Sequence, residues 1–484
     1  MSLLLKLKDL TLKSQGIFFQ DVHWEINSGE HWIITGKSGS GKTSFLKMLQ
    51  GNCIVESGTV FNHLGEMPEF GLQDLMKHTS FVFFLHEGIN YHNYYYQQRY
   101  YSTEVEGTVT ARDFLLQGFQ TDNINLDDEI TGSLHIRDLL SKELIKLSNG
   151  ETRRLFIAKA LLRKPKLLIL DNPYIGLDSE ARQTLNHLLC QIAANGVHLI
   201  LSDNGQDYPD CMTHVLTMEN LKIKSVGKRP LNHASVLSPQ ENPSEKSIGR
   251  FQFQELLKTD FAIATSFSNL TIKYGDNVII NGIDWTIRKG EKWALTGLNG
   301  AGKSMLLGVV FADHPQAYAN KIIIFDQPRG SGETIWDIKE QIGYVSPELH
   351  FYFERQVSCE EAVMSVLYEH PYKRQTAEPW HYQMFERLLE YFQISHLRNA
   401  RFHSISTGQQ RLILLLRVII KNPPLLLLDE PFQGFDMETI EKSKLLLDQF
   451  CQNRTVIMVS HHASEIPSVV NHLARLENGQ LIVV

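Results

Sequence analysis

The sequence predicts an α/β fold, and it predicts that fold twice. Short apolar runs that fit buried parallel strands, HWIITG (31–36) and LLIL (167–170), alternate with segments of helical spacing such as GKTSFLKMLQG (41–51). The same series then recurs further along the chain. WEINSGEHWIITGKSGSGKTSFL, beginning at Trp24, resembles WTIRKGEKWALTGLNGAGKSMLL, beginning at Trp285, 261 positions later. LSNGETRRL (147–155) resembles ISTGQQRLI (405–413), and LLILDNPYIGLD (167–178) resembles LLLLDEPFQGFD (425–436), both 258 positions apart. One match can arise by chance, but an ordered series at nearly constant spacing marks a duplicated domain.

Between the copies lies VGKRPLNHASVLSPQENPSEKSIG (226–249), whose prolines, serines and polar residues read as a linker. The expected organisation is a first domain over 1–225, a linker over 226–255 and a second domain over 256–484. A chain of 484 residues is long enough for two cores.

The formal net charge of −7 disfavours a protein that works by neutralising phosphates along a duplex, so there is no strong nucleic-acid signal. Cys53, Cys190, Cys211, Cys359 and Cys451 are scattered, with no CxxC pair, which argues against a disulfide framework or a zinc site. The most apolar stretch, RLILLLRVII (411–420), is interrupted by arginines and is too short to span a bilayer. MSLLLKLKDLTLK alternates like a strand and lacks the plan of a signal peptide. The expected location is cytoplasmic, with any membrane-spanning part supplied by another polypeptide.

The chemistry sits in three recurring elements. Gly36-Lys37-Ser38-Gly39-Ser40-Gly41-Lys42-Thr43 and Gly297-Leu298-Asn299-Gly300-Ala301-Gly302-Lys303-Ser304 both match G-x-x-x-x-G-K-[ST], the phosphate loop. Glycines let the backbone wrap phosphates with its N–H groups turned inward, and the loop opens a helix whose N-terminus favours anions. Lys42 and Lys303 are expected on the β- and γ-phosphates of ATP, and Thr43 and Ser304 on Mg²⁺. A ligand-free glycine turn is the plainer reading, and two complete motifs after apolar strands weigh against it. The second element is an apolar strand ending in an acid, Asp171 or Asp429, each expected to bind Mg²⁺ through water. Glu430 follows Asp429 and is suited to orient and activate an attacking water, whereas Asn172 follows Asp171 and has no such capacity. The third is Leu147-Ser148-Asn149-Gly150-Glu151 and Ile405-Ser406-Thr407-Gly408-Gln409, each at the start of a helix. Alone, such a pentapeptide is a helix cap.

In this order the three elements resemble the ATP-binding-cassette family, whose signature is LSGGQ, and the resemblance covers nearly the whole chain. It implies phosphate-loop domains, each with a parallel-sheet core, a helical subdomain and an N-terminal antiparallel β subdomain. It further implies head-to-tail closure on ATP, in which Ser148 and Gly150 complete the second phosphate loop, and Ser406 and Gly408 the first. The family's switch histidine matches His461, and its adenine-stacking aromatic matches Tyr274. The first copy carries Asp203 in place of the histidine and KSQG (13–16) in place of the aromatic, with Phe18 nearby. Both copies depart from the family at its glutamine loop. IGYVSPELH (342–350) has Glu348 as its nearest polar candidate, and HTSFVFFLH (78–86) is apolar.

The stretch 314–346, above all GSGETIWDIK, resembles the ModF type of tandem ATP-binding protein, associated by name with molybdate uptake and photorepair. That resemblance implies an energising subunit with separate membrane permease subunits, peripheral on the inner face of the membrane. The alternatives are a soluble ATPase that remodels a ribosome, nucleic acid or protein complex, and a slow nucleotide-gated clamp. The translation-factor branch of the family carries a long charged helical linker, which this short proline-bearing one does not match. The tyrosine-rich INYHNYYYQQRYYSTEVEG (89–107) offers stacking surfaces beside Arg99, but packing within an insertion is the reading its composition favours.

Overall fold

The computed structural model describes all residues except 1, 15–16, 85–108, 119–130, 133, 145–146, 148, 204–207, 231–250, 254–260, 275–276, 348, 350–352, 354–355 and 369–375. Ser148, Glu348 and the tyrosine-rich segment lie outside the described residues. The chain divides into two compact units, Met1–Gln240 and Glu241–Val484.

In the first unit, β1 (Leu3–Ser14) pairs antiparallel with β2 (Ile17–Asn27) and with β4 (Ile54–Asn62). With β5 (Glu69–Phe70) they form a four-stranded sheet in the order β2-β1-β4-β5. Leu5, Leu7, Leu10 and Leu12 of β1 are buried while Lys8 and Asp9 are exposed, so one face is dry and the other wet. The second sheet has the order β10-β9-β3-β8-β7-β6, built from β3 (Trp32–Thr35), β6 (Thr79–Phe83), β7 (Leu167–Asp171), β8 (His198–Ser202), β9 (His214–Glu219) and β10 (Lys222–Lys228). All its neighbours are parallel except β9 and β10. Every residue of β7 is buried, because helices and the other sheet cover both faces, and this is why LLIL shows no alternation.

The second unit repeats the plan. β11 (Ile263–Tyr274), β12 (Asn277–Arg288), β14 (Lys321–Ile324) and β15 (Gln327–Pro328) form an antiparallel sheet in the order β12-β11-β14-β15. β13 (Lys292–Thr296), β16 (Ile342–Val345), β17 (Leu425–Asp429), β18 (Thr455–Val459), β19 (His472–Glu477) and β20 (Gln480–Val483) form the other, in the order β16-β17-β18-β13-β19-β20. The helices that matter for the sites are α1 (Lys42–Leu49) and α2 (Asn149–Leu161) in the first unit, and α3 (Lys303–Val310) and α4 (Thr407–Lys421) in the second. α4 buries Leu412, Leu415, Leu416 and Ile419 against a core that includes Phe385, Leu388 and Phe450.

Ordered structure reaches into both ends of the segment read as a linker. β10 continues to Lys228, paired with His214, because its backbone keeps a ladder partner there. At the other end Phe253 stacks edge-on against Phe450 at 5.0 Å and Phe251 against Tyr391 at 5.4 Å, so burial of these rings attaches them to the second unit. All five cysteines are free. Among the described residues no helix is long and apolar enough to cross a membrane.

Candidate nucleotide-binding sites

Each glycine-rich loop runs from a central parallel strand, β3 or β13, into a helix, α1 or α3. The two loops are built alike. A Cβ at Gly36 would lie 2.2 Å from Met218 O, and one at Gly297 would lie 2.3 Å from Leu476 O, so at both positions only glycine lets the loop pack against the neighbouring strand. Gly41 and Gly302 take left-handed conformations (φ 100° and 102°) as the helices begin. Within the turns, Ser40 N–H donates to Lys37 O at 3.1 Å and Ala301 N–H to Leu298 O at 3.3 Å. Ser38, Gly39, Asn299 and Gly300 form the intervening residues of these turns. The lysines fold back over the loops: Lys42 Nζ donates to Gly36 O (2.7 Å) and Lys37 O (3.1 Å), and Lys303 Nζ to Gly297 O and Leu298 O (both 2.8 Å). Both ammonium groups are buried and aimed across a ring of backbone, and the Ser40 hydroxyl is buried without a hydrogen-bond partner. A cradle of this kind, closed to any side chain at Gly36 and Gly297, fits a phosphate chain.

The acids end the strands beside those loops. Thr43 Oγ1 donates to Asp171 Oδ2 at 2.7 Å, which brings together the two residues expected to hold Mg²⁺ in the first unit. Burial raises the Asp171 carboxyl above its ordinary range, against the opposing pull of Thr43, Ser202, Lys42 and Lys47. A buried carboxylate beside a hydroxyl is a suitable donor set for a hard divalent cation. Asp429 ends β17 in the same position, with Ser304 in the first turn of α3.

The residues after the acids distinguish the units. Asn172 (φ 53°) and Glu430 (φ 44°) are both left-handed, and their N–H groups donate to Ser202 O (2.7 Å) and Val459 O (3.0 Å) on the adjacent strand. In the second unit His461 Nε2 lies 2.7 Å from Glu430 Oε1, and Gln433 Nε2 donates to Glu430 Oε2 at 2.7 Å. Burial works to raise the Glu430 carboxyl, but His461, then Lys303 and Arg411, outweigh it and hold it below the ordinary range. In the first unit the matching positions are Asn172 and Asp203. Asp203 and Arg153 are both buried; burial lowers the Arg153 guanidinium to about 9, and the charge of Asp203 pulls the other way.

Ser406 caps α4: Gln409 N–H donates to its Oγ at 3.3 Å, and the Gln409 side chain accepts from Ser406 N–H at 3.0 Å, a full capping box. Gly408 lies in the first turn of α4, and Gly150 in the first turn of α2. Tyr274 ends β11 with its hydroxyl 2.9 Å from His314 Nε2. Phe18 is partly exposed, with Lys13 Nζ 4.8 Å from its ring centre, and lines a cavity with Gln20, Asn220, Leu221 and Lys222. Leu221 N–H donates to Ser40 O at 3.1 Å, so that cavity adjoins the first loop. Sequence reasoning missed His314, Gln433, Arg153 and Arg411. The two arginines carried a signal, since they match at the same spacing of 258 as the signatures.

Two glycine-rich cradles, each followed by a helix and accompanied by a strand ending in an acid, define a pair of phosphate-loop nucleotide-binding domains. The family description "ABC transporter" matches residues 19–175 and again 280–433. The chain belongs to that family and is a tandem ABC ATPase. An uncharacterized ABC transporter ATP-binding protein of Schizosaccharomyces pombe is 32% identical over 489 residues, covering 96% of each chain. The ABC transporter ATP-binding protein ModF of Escherichia coli is 30% identical over 470 residues, covering 93% of this chain and 92% of the relative. A structure of ribosome-bound archaeal Pelota and ABCE1 matches with a TM-score of 0.61 at 17% identity, over 98% of this chain and 78% of that one. At that identity the likeness bears on the fold.

Proposed function

We propose that this tandem ATPase hydrolyses ATP mainly at the second phosphate loop, while the first binds ATP and turns it over slowly. The observation that carries this reading is the Glu430–His461 pair at 2.7 Å, against Asn172 and Asp203 in the first unit. Gly36 to Thr43 and Gly297 to Ser304 would cradle the phosphates, with Lys42 and Lys303 neutralising the terminal ones. Thr43 with Asp171, and Ser304 with Asp429, would hold Mg²⁺, which when bound offsets charge on the transferred phosphoryl group. Glu430 is ionised at neutral pH and can accept a water's proton, and His461 steadies the carboxylate. Asn172 hydrogen-bonds water without accepting that proton. Ser148 and Gly150, with Ser406 and Gly408, would complete the opposite sites on closure, and Tyr274 would stack on adenine.

The names of the relatives favour an energising subunit that couples closure on ATP to separate membrane subunits. Co-fractionation with membranes, lost when those subunits are removed, tests this partner. A chain that stays with ribosomes or other soluble assemblies instead would count for the soluble alternative. The hydrolytic asymmetry is tested by steady-state phosphate release at saturating ATP. Glu430→Gln is expected to lower turnover about 10²–10⁴-fold, and Asn172→Ala to leave it within roughly tenfold. Near-normal turnover in Glu430→Gln, or a deeper loss in Asn172→Ala, reverses the assignment of the working site.

A further inference from the structure

Both units bury an arginine on the helix that opens with the signature, five residues beyond the signature serine. In the second unit Arg411 is 6% exposed. Its Nη1 donates to Gln433 O at 2.8 Å and its Nη2 to Pro347 O at 3.1 Å. In the first unit Arg153 is 9% exposed. Its Nη2 donates to Ile175 O, and its guanidinium lies 4.3 Å from the centre of the Phe84 ring. The contacts fall at corresponding positions, two carbonyls in the second unit and a carbonyl and a ring in the first. Ile175 and Gln433 are 258 positions apart, as are the arginines. Phe84 and Pro347 also correspond, since Val82 pairs with Leu170 on β7 and Val345 with Leu428 on β17, each two residues earlier. In each unit, then, one guanidinium joins three segments: the signature helix, the segment just after the outermost parallel strand, and the loop just after the acid.

That middle segment is where a glutamine is missing from both copies. Burying a guanidinium carries a desolvation cost that bonding its N–H groups must offset. Two copies that keep it at one register, on the same two loops, point to a use beyond packing. In the second unit the link continues. Gln433, whose carbonyl holds Arg411, gives its side-chain amide to Glu430, which meets His461. In the first unit Ile175 has no amide to give, and the link stops at the arginine.

We propose that Arg411 is a positioning residue for hydrolysis, tying the signature helix to the loop that aims Glu430. Arg153 makes the same tie in the first unit, where it has no general base to aim. The inference rests on the proposed working site at Glu430. Its fork geometry matters as well as its charge, because two carbonyls on separate segments are held at once, which a lysine cannot do in the same way.

The test compares Arg411→Met, Arg411→Lys and Glu430→Gln in the full chain, reading kcat, KM for Mg-ATP and the thermal midpoint. Arg411→Met is expected to lower kcat about 10–100-fold with KM changed less than about threefold, since misplacing a catalytic group acts on the chemical step. Arg411→Lys keeps the charge and loses the fork, so kcat should stay reduced there with KM again little changed, separating charge from fork. If Arg411→Met does not fold, the lysine variant alone decides, and wild-type kcat there overturns the proposal. An unchanged kcat in a folded Arg411→Met, or a loss confined to the thermal midpoint, reduces the arginine to a packing role and overturns the proposal. Retained turnover in Glu430→Gln overturns the working-site reading itself. Loss of turnover in Glu430→Gln with normal Arg411→Met overturns only this inference.

Discussion

Asp171 is a buried carboxylate whose comfort depends on what it faces. Its carboxyl is raised in the folded protein, so the ionised form is disfavoured there relative to the unfolded chain. The contribution of this group to stability is complete below its unfolded value, about 3.9, and is lost as pH rises through the raised folded one. At neutral pH without nucleotide, Asp171→Asn is therefore expected to raise the thermal midpoint by roughly 2–4 °C, which corresponds to about 1 kcal/mol in a domain of this size. Thr43 can still donate to the amide oxygen. The same variant should abolish the Mg²⁺ dependence of ATP binding at the first loop. A lowered midpoint would mean that the carboxylate is stabilised by its cations more than it is penalised by burial. Lys42→Ala and Lys303→Ala should each weaken ATP binding, since each removes a cation buried inside a phosphate cradle. Nucleotide titration of both variants checks this, and unchanged affinity in both would remove the two-site reading.

The residue that caps α4 is expected to serve both folding and function. Ser406 makes a capping box with Gln409, so Ser406→Ala should cost about 1 kcal/mol through loss of the cap alone. Ser406→Asp keeps a capping oxygen and adds a negative charge favourable at a helix N-terminus. Thermal stability should accordingly survive Ser406→Asp and fall in Ser406→Ala, while ATP turnover falls in both if the serine meets a terminal phosphate. Full turnover in Ser406→Asp would confine the residue to capping. The other end of α4 lies close to β16. A Cβ at Gly343 would stand 2.5 Å from Val418 Cγ1 and 2.6 Å from Pro423 Cγ. Gly343→Ala is expected to destabilise the second unit by about 1–3 kcal/mol through overpacking, read by chemical denaturation. The strand itself was legible as IGYV; the need for glycine was not, since it arises from a helix 75 residues downstream.

At the scale of the whole molecule, two units on one chain are expected to close on each other. A linker raises the effective concentration of each partner for the other where it can span the gap. Cysteines introduced at Lys37 and Thr407 should crosslink within one chain in ATP, using a short bifunctional reagent and a background without the native thiols. Crosslinks found only between chains would point to a dimer of tandem chains instead. On the proposed assignment this closure would have a direction, since Glu430 would end the ATP-bound state at one site while Asn172 would leave the other long-lived.

The duplication, the α/β class, both phosphate loops and the acids that end β7 and β17 were determined by the sequence alone. They depend on local chemistry and short spacing: a glycine pattern before a lysine, a fully apolar run before an aspartate, and a repeat that makes coincidence untenable. The contrast of Glu430 and His461 with Asn172 and Asp203 was legible for the same reason, as residue identity at fixed offsets. Tertiary structure alone decided how these groups meet. Thr43 and Asp171 are 128 positions apart in the chain and share a 2.7 Å hydrogen bond. The left-handed turns at Asn172 and Glu430 are held by backbone bonds to the next strand, a partner that the local sequence does not specify. Arg153 and Arg411 read in sequence as ordinary charges on a helix face. Their burial across three segments of each site exists only once the sheet order brings β6 beside β7, and β16 beside β17. A side chain's partners are set by which strands become neighbours, and that is a property of the folded chain.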